Sequence, residues 1–133
     1  MIGVLGAGQL GRMLALAGYP LGLRFRFLDP APESPVEELA DLVVGRFDDL
    51  DVLERFPAGL DVVTYEFENV SVEAARHLAR AVPVFPPIRA LEVCQDRLAE
   101  KTLFRSLCLR KVGRLQPATP SRRHSGLAPP RGE

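Results

Sequence analysis

The chain opens with the stretch Ile2-Gly3-Val4-Leu5-Gly6-Ala7-Gly8-Gln9-Leu10-Gly11-Arg12-Met13. A short apolar run comes first, which is typical of a buried parallel strand. The glycines Gly6, Gly8 and Gly11 lead into apolar residues at helical spacing, namely Leu10, Met13, Leu14, Ala17 and Leu21. In such a strand–turn–helix unit the backbone amides of the turn face a ligand. We therefore predict a ligand loop at residues 6–11, with a purely structural glycine turn as the alternative.

Strand and helix patterns alternate along the next hundred residues. The further predicted strands are 23–28, 42–44, 61–66 and 82–85. Asp48 or Asp49 is suited to cap a short helix, and Ser71 a second one, while two more short helices are predicted at 88–94 and 97–107. This alternation predicts an α/β fold, a Rossmann-like parallel sheet of about five strands with flanking helices.

The composition of the chain changes near residue 107. Residues 1–107 carry 11 basic and 16 acidic side chains, a balance of −5, whereas residues 108–133 have a balance of +5, four prolines and no aromatic residue. Such a segment buries too little apolar surface to offset its ordering entropy. We predict one domain at 1–107 and an irregular or disordered basic tail at 108–133. The tail offers no aromatic side chain for base stacking, so no nucleic-acid partner is expected.

The gross composition also limits the location of the protein. No apolar stretch is long enough to span a membrane, and the early glycines interrupt any signal-peptide core. Cys94 and Cys108 have no metal-ligand spacing, so we interpret them as free thiols in a reducing compartment. These features predict a cytoplasmic protein.

The glycine pattern first suggests a dinucleotide, because Asp29 at the end of the second strand is placed to bind ribose hydroxyls. A strand-ending Asp-Pro turn explains Asp29 equally well. Two features disfavour NAD: the polar Gln9 and Arg12 at the helix start, and the carboxylates in the loop after the fourth strand. Dinucleotide phosphates would be poorly accommodated there, whereas a ligand rich in amine and hydroxyl donors would fit.

Two carboxylates, Glu66 and Glu68, follow the fourth strand. Strand alternation directs them to opposite sides, so we take Glu66 as the residue facing the site and Glu68 as a solvated or helix-capping carboxylate. His77 is interpreted as a surface histidine, and His124 has no assignable role. The sequence offers no catalytic triad, metal cluster or Walker lysine, so no catalytic or metal-binding residue is assigned.

Four strings resemble one family, 5-(carboxyamino)imidazole ribonucleotide synthetase, the ATPase subunit of phosphoribosylaminoimidazole carboxylase in purine biosynthesis. They are Gly6-Ala7-Gly8-Gln9-Leu10-Gly11-Arg12-Met13, Leu28-Asp29-Pro30, Asp61-Val62-Val63-Thr64-Tyr65-Glu66-Phe67-Glu68-Asn69-Val70 and Gln95-Asp96-Arg97-Leu98 with Lys101. The resemblance covers about residues 1–107. It implies the first, pre-ATP-grasp domain of an ATP-grasp ligase, and a homodimer.

The resemblance also implies the chemistry of the whole enzyme. ATP and bicarbonate form carboxyphosphate, which carboxylates aminoimidazole ribonucleotide, with Mg²⁺ bridging the phosphates. Gln9, Leu10 and Glu66 are then implied as ribonucleotide contacts and Arg97 as an ATP contact. A surface ion pair with Glu100 is the alternative for Arg97.

The sequence departs from the family after residue 107, where an Arg/Pro-rich ending replaces the ATP-grasp domain. A truncated or frame-shifted gene would produce this ending. We therefore expect the isolated chain to be inactive and to bind ATP and Mg²⁺ weakly at best. Two other interpretations stay open: an NAD(P)-binding module, and a non-catalytic dimerisation partner.

Overall fold

The computed structural model describes residues 1–107. The predictions for the tail, including Cys108 and His124, lie outside the described residues. The strands are β1 (Ile2–Leu5), β2 (Phe25–Asp29), β3 (Asp41–Val44) and β4 (Val62–Tyr65). The helices are α1 (Gln9–Gly18), which continues into a 3₁₀ turn (Tyr19–Leu21), α2 (Leu50–Arg55), α3 (Val72–Leu78), α4 (Ile88–Gln95) and α5 (Arg97–Ser106).

The four strands form one parallel sheet in the order β3-β2-β1-β4. The chain first moves outward from β1 to β2 and β3, and then returns to the other side of β1 with β4. Ile2 pairs with Phe25 on one side and with Val62 on the other. The direction of winding therefore reverses between β1 and β4, and ligands of such sheets bind beyond the carboxyl ends of the strands at this switch point.

Helices cover both faces of the sheet, as the continuous apolar β1 predicts. On one face Leu5 and Leu28 belong to a buried cluster with residues of α2 and α3. On the other face Val4 and Phe27 pack with Ala15 of α1. Neighbouring residues of a strand point to opposite faces, so adjacent positions serve two separate cores.

The helix caps follow the sequence prediction closely. The Asp49 carboxylate accepts hydrogen bonds from two amides at the start of α2, and the Ser71 hydroxyl accepts one from Ala74 in α3. Both caps are local, because the acceptor lies within three residues of its donors. Within residues 1–107 no helix is long and apolar enough to cross a membrane.

The predicted fifth strand is wrong, although the fold class is confirmed. Residues 82–85 form a single bridge, Val63 to Val84, beside β4. Pro83 accepts a hydrogen bond through its carbonyl but has no N–H to donate, and Pro86 and Pro87 follow at once. A segment with so few donors cannot extend a ladder.

The predicted apolar stripe of α1 does not face the core. Leu10 and Met13 are about three-fifths exposed, and Leu21 is three-quarters exposed. The helix instead buries Gly11, Ala15 and Gly18, one position away around the helix. These small residues let the backbone approach the Phe25 and Phe27 rings, so the strand supplies the bulk that the helix lacks.

Candidate functional site

The loops after β1 and β4 meet at the switch point of the sheet. The N–H of Glu66 donates to the carbonyl of Leu5 at 3.1 Å, and the N–H of Gly6 donates to the carbonyl of Leu28 at 2.9 Å. These bonds hold the glycine-rich loop (residues 6–11) between the ends of β2 and β4. The loop that we call the β4 loop (residues 65–70) lies directly beside it.

The Glu66 carboxylate binds the glycine-rich loop itself. One oxygen accepts a hydrogen bond from the N–H of Gly8 at 2.8 Å, and the other accepts from the N–H of Gly11. Gly8 is the N-cap of α1 and has no side chain to cap it. The first amides of a helix lack partners within the helix and favour a negative charge. Glu66 thus caps α1 from 58 residues away in sequence.

All three glycines of the pattern make room for this carboxylate. A Cβ on Gly8 would lie 2.7 Å from Glu66 Oε1, and one on Gly11 would lie 2.6 Å from Glu66 Oε2. Gly6 has a φ of +96° and would place a Cβ 2.7 Å from the Glu66 side chain and the Phe67 ring. The close approach expected of a ligand is made here by a side chain of the protein.

The Asp29 carboxylate is also held by backbone amides. Its Oδ2 accepts from the N–H of Ala7 at 2.9 Å, and its Oδ1 accepts from the N–H of Ala31 at 2.8 Å. The second bond is the Asp-Pro turn that the sequence offers as the alternative to a ribose contact. Asp29 therefore joins the glycine-rich loop to the turn after β2.

Gln95, at the end of α4, fixes the β4 loop. Its side-chain amide donates to the carbonyls of Glu68 and Val70, both at 2.7 Å. Because Glu66 lies in the same loop, Gln95 indirectly sets the position of the carboxylate. Sequence reasoning assigns no role to Gln95. A side-chain amide that donates to carbonyls 27 and 25 residues away leaves no local sequence pattern.

The candidate ligand residues do not all lie together. Gln9 and Leu10 are exposed in the first turn of α1, next to the amides that bind Glu66. The Glu68 side chain is exposed, so Glu66 is the acid that the structure places against the loop. Arg97 begins α5, is mostly exposed, and pairs with Glu100 at 3.3 Å, the surface ion pair foreseen as its alternative.

Two titratable groups near the β4 loop have shifted pKa values. Partial burial, with a smaller effect of Cys94, raises the pKa of Tyr65, whose hydroxyl lies 3.4 Å from the Pro86 carbonyl. The backbone N–H of Ala99, followed by that of Leu98, lowers the pKa of Asp96 and identifies it as the N-cap of α5.

An open pocket of about 460 Å³ lies away from both loops, between β3 and α2, with Arg26, Asp41 and Arg55 among its lining residues. The Arg26 guanidinium is already bound to Asp41 and to two backbone carbonyls. In the described part of the chain, no three His, Cys, Asp or Glu side chains are grouped to hold a metal ion.

A parallel sheet with helices on both faces, and with a glycine-rich loop and an acidic β4 loop at its switch point, defines a Rossmann-like α/β domain. Here the glycine-rich loop holds a carboxylate of its own chain. The family model described as the ribonucleotide synthetase preATP-grasp domain matches residues 1–95. The chain belongs to this family.

Three similar proteins are synthases or synthetases named for N5-carboxyaminoimidazole. The chain is 45% identical over 106 residues to an N5-carboxyaminoimidazole ribonucleotide synthase of Pseudomonas aeruginosa, covering 80% of this chain and 29% of the relative. A crystal structure of the synthetase from Thermus thermophilus is 65% identical, with a TM-score of 0.79 over 81% of this chain and 30% of that one. An Aspergillus clavatus synthase, crystallised with ADP and 5-aminoimidazole ribonucleotide, is 32% identical, with a TM-score of 0.71 over 80% of this chain and 29% of that one. The chain thus spans under a third of these relatives.

Proposed function

We propose that this domain forms the ribonucleotide-binding wall of an ATP-dependent ligase that carboxylates aminoimidazole ribonucleotide with bicarbonate. The observation that carries the proposal is the convergence of Gln9, Leu10 and Glu66 at the switch point of the family's domain. The Aspergillus relative, crystallised with that ribonucleotide, supports the choice of ligand. Because the chain covers about 29% of its relatives' length, the activity of the whole enzyme is part of the proposal.

The free hydrogen-bonding capacity of the site suits this ligand. A carboxylate has about four acceptor positions, and Glu66 uses two of them on Gly8 and Gly11. The remaining positions can accept hydrogen bonds from hydroxyl or amine groups. The exposed Gln9 amide both donates and accepts, and the exposed Leu10 offers an apolar contact to a heterocycle. A sugar carrying an aminated ring matches this combination of groups.

ATP is proposed to meet this domain at Arg97. The Arg97 side chain is about three-quarters exposed, and its pairing with Glu100 is loose. Exposed ion pairs contribute little stability, so the guanidinium is able to exchange Glu100 for a phosphate at low cost. Residues 1–107 contain no group of three His, Cys, Asp or Glu side chains that could hold a metal ion, so no Mg²⁺ ligand is assigned to this domain.

NMR titration of the chain with aminoimidazole ribonucleotide tests the ligand proposal. We expect saturable shifts of the amides at residues 66–70, which Glu66→Ala abolishes and Glu68→Ala, the same charge change two residues away, preserves. Shifts confined to other surfaces contradict the proposal. Protection by NADH rather than by the ribonucleotide in a thermal-shift titration favours the NAD(P) interpretation.

The same chain is expected to show no ATP hydrolysis that depends on aminoimidazole ribonucleotide and bicarbonate. The reason is that positioning and charge neutralisation of the phosphates are proposed to need parts of the enzyme beyond this domain. Substrate-dependent turnover that persists after removal of trace full-length enzyme contradicts this expectation.

A homodimer in the cytoplasm is the assembly proposed from the family resemblance. The exposed apolar side chains of α1, including Met13, Leu14 and Leu16, support a contact between copies. Sedimentation at increasing concentration tests it, with Met13→Glu expected to weaken association. A chain that stays monomeric throughout contradicts the homodimer. A dimer that binds no small molecule favours the interpretation as a non-catalytic assembly partner.

A further inference from the structure

Three N–H donors of the glycine-rich loop are already occupied by the chain's own carboxylates. Glu66 accepts from the N–H groups of Gly8 and Gly11, and Asp29 accepts from that of Ala7. In a phosphate-binding loop these amides are the groups that hold the phosphate oxygens. Here two negative side chains take that place, so an incoming phosphate meets both occupied donors and like charge.

The packing around Glu66 shows that its position is built into the motif. Each glycine of the pattern approaches Glu66 so closely that an added Cβ would lie 2.6 to 2.7 Å from one of its atoms. The carboxylate is also bound at both oxygens, and the β4 loop that carries it is held at two carbonyls by Gln95. Three separate features therefore fix the carboxylate at the start of α1.

We infer that Glu66 determines the specificity of the loop by closing it to phosphate groups. A ligand must then approach the loop through hydrogen-bond donors, and its phosphate must bind elsewhere. This exclusion of phosphate by Glu66 goes beyond the proposed function and holds whichever donor-rich ligand the domain takes.

The test is an NMR titration of the full 133-residue chain with inorganic phosphate, monitored at the Gly8 and Gly11 amides. The wild type and Glu68→Ala are expected to show no saturable shift there. Glu66→Ala is expected to bind phosphate at these amides at least about tenfold more tightly than the wild type, because two donors are freed and one like charge is removed. Glu68→Ala removes an equal charge two residues away and thereby controls for general electrostatics.

Two results overturn the inference. One is phosphate binding at Gly8 and Gly11 in the wild type that equals binding in Glu66→Ala. The other is a folded Glu66→Ala, or the isosteric Glu66→Gln, that gains no binding. If neither variant keeps its amide dispersion, the wild-type titration decides: binding at the two amides refutes the inference, and its absence supports it. Because the probe is phosphate, a failure here leaves ribonucleotide binding open, and a failure of ribonucleotide binding leaves this result standing.

Discussion

Replacing Gly11 by alanine tests whether the glycine pattern exists to accommodate Glu66. Alanine is favoured over glycine inside a helix by about 1 kcal/mol, so an unhindered site would gain stability. Here the new Cβ would lie 2.6 Å from Glu66 Oε2 and 2.9 Å from the Phe27 ring. Overpacking of this kind costs about 1–3 kcal/mol, and a weakened hydrogen bond to a charged group about 1.5–3 kcal/mol. Since the site is only partly buried, we expect a net loss of about 2 kcal/mol in the free energy of unfolding.

Urea unfolding followed by circular dichroism measures this loss, and a double-mutant cycle assigns its origin. In a Glu66→Ala background the main obstacle is gone, so Gly11→Ala should cost about 1 kcal/mol or less, with a coupling of about 1 kcal/mol between the two positions. The contact with Phe27 accounts for the remaining cost. An alanine at position 11 that stabilises the chain, or that costs the same in both backgrounds, refutes the reasoning.

Three further predictions concern other parts of the domain. Gln95→Glu turns a donor toward two backbone carbonyls into an acceptor, so it should lower the free energy of unfolding by about 1–3 kcal/mol; a loss no larger than that of the uncharged Gln95→Met contradicts this. The Asp96 carboxylate should cap α5 fully above the pKa of an unfolded aspartate. The N–H of Ala99 is the main cause of the lower pKa in the folded chain, and the cap should be lost as pH falls through that lower pKa. A carboxyl NMR titration with the midpoint of an ordinary aspartate contradicts this. Met13→Gln, at a side chain 62% exposed, should change the free energy of unfolding by no more than about 0.5 kcal/mol. Ala15→Gln, at a fully buried position, should lower it by about 2 kcal/mol or more. Equal effects of the two variants in urea unfolding would contradict the observed orientation of α1.

The parts of the fold that the sequence predicts correctly depend on neighbouring residues. Asp49 and Ser71 cap helices whose first amides lie within three positions of them. The segment around Val62–Tyr65 is rich in β-branched and aromatic residues, and it forms the strand β4. The alternation of strands and helices then dictates a parallel sheet.

The errors arise where distant residues decide the outcome. The pattern of large apolar side chains predicts the wrong buried face of α1. The helix packs on the sheet through Gly11, Ala15 and Gly18, because the rings of Phe25 and Phe27 fill the space between helix and sheet. A pattern of side-chain hydrophobicity cannot detect a contact made by glycines. The segment 82–85 likewise has strand-like residues. Pro83 within it, and Pro86 and Pro87 directly after it, lack N–H donors, so it forms only one bridge to β4.

The site shows the same division between local and distant information. The strand–turn–helix unit that carries the glycine-rich loop is predictable because its three parts are contiguous in the sequence. Occupation of the loop by Glu66 depends on a register between β1 and β4 that pairs Leu5 with Tyr65. This pairing places the residue after each strand side by side. Once the order of the strands is known, the contact follows from the sequence, but the order itself is set by the crossovers.

Two features together disfavour the dinucleotide interpretation, and neither does so alone. Binding of NAD requires free amides in the glycine-rich loop for the pyrophosphate and a free acid after the second strand for the ribose. In this chain the amides of Gly8 and Gly11 are bound to Glu66, and the Asp29 oxygens are bound to Ala7 and to its own turn. Removing Glu66 would free only the amides of the glycine-rich loop. The Asp29 carboxylate would still accept hydrogen bonds from the N–H groups of Ala7 and Ala31. We therefore expect Glu66→Ala to gain affinity for inorganic phosphate without gaining comparable affinity for NADH, and equal gains for both would show that Asp29 is available to a ribose after all.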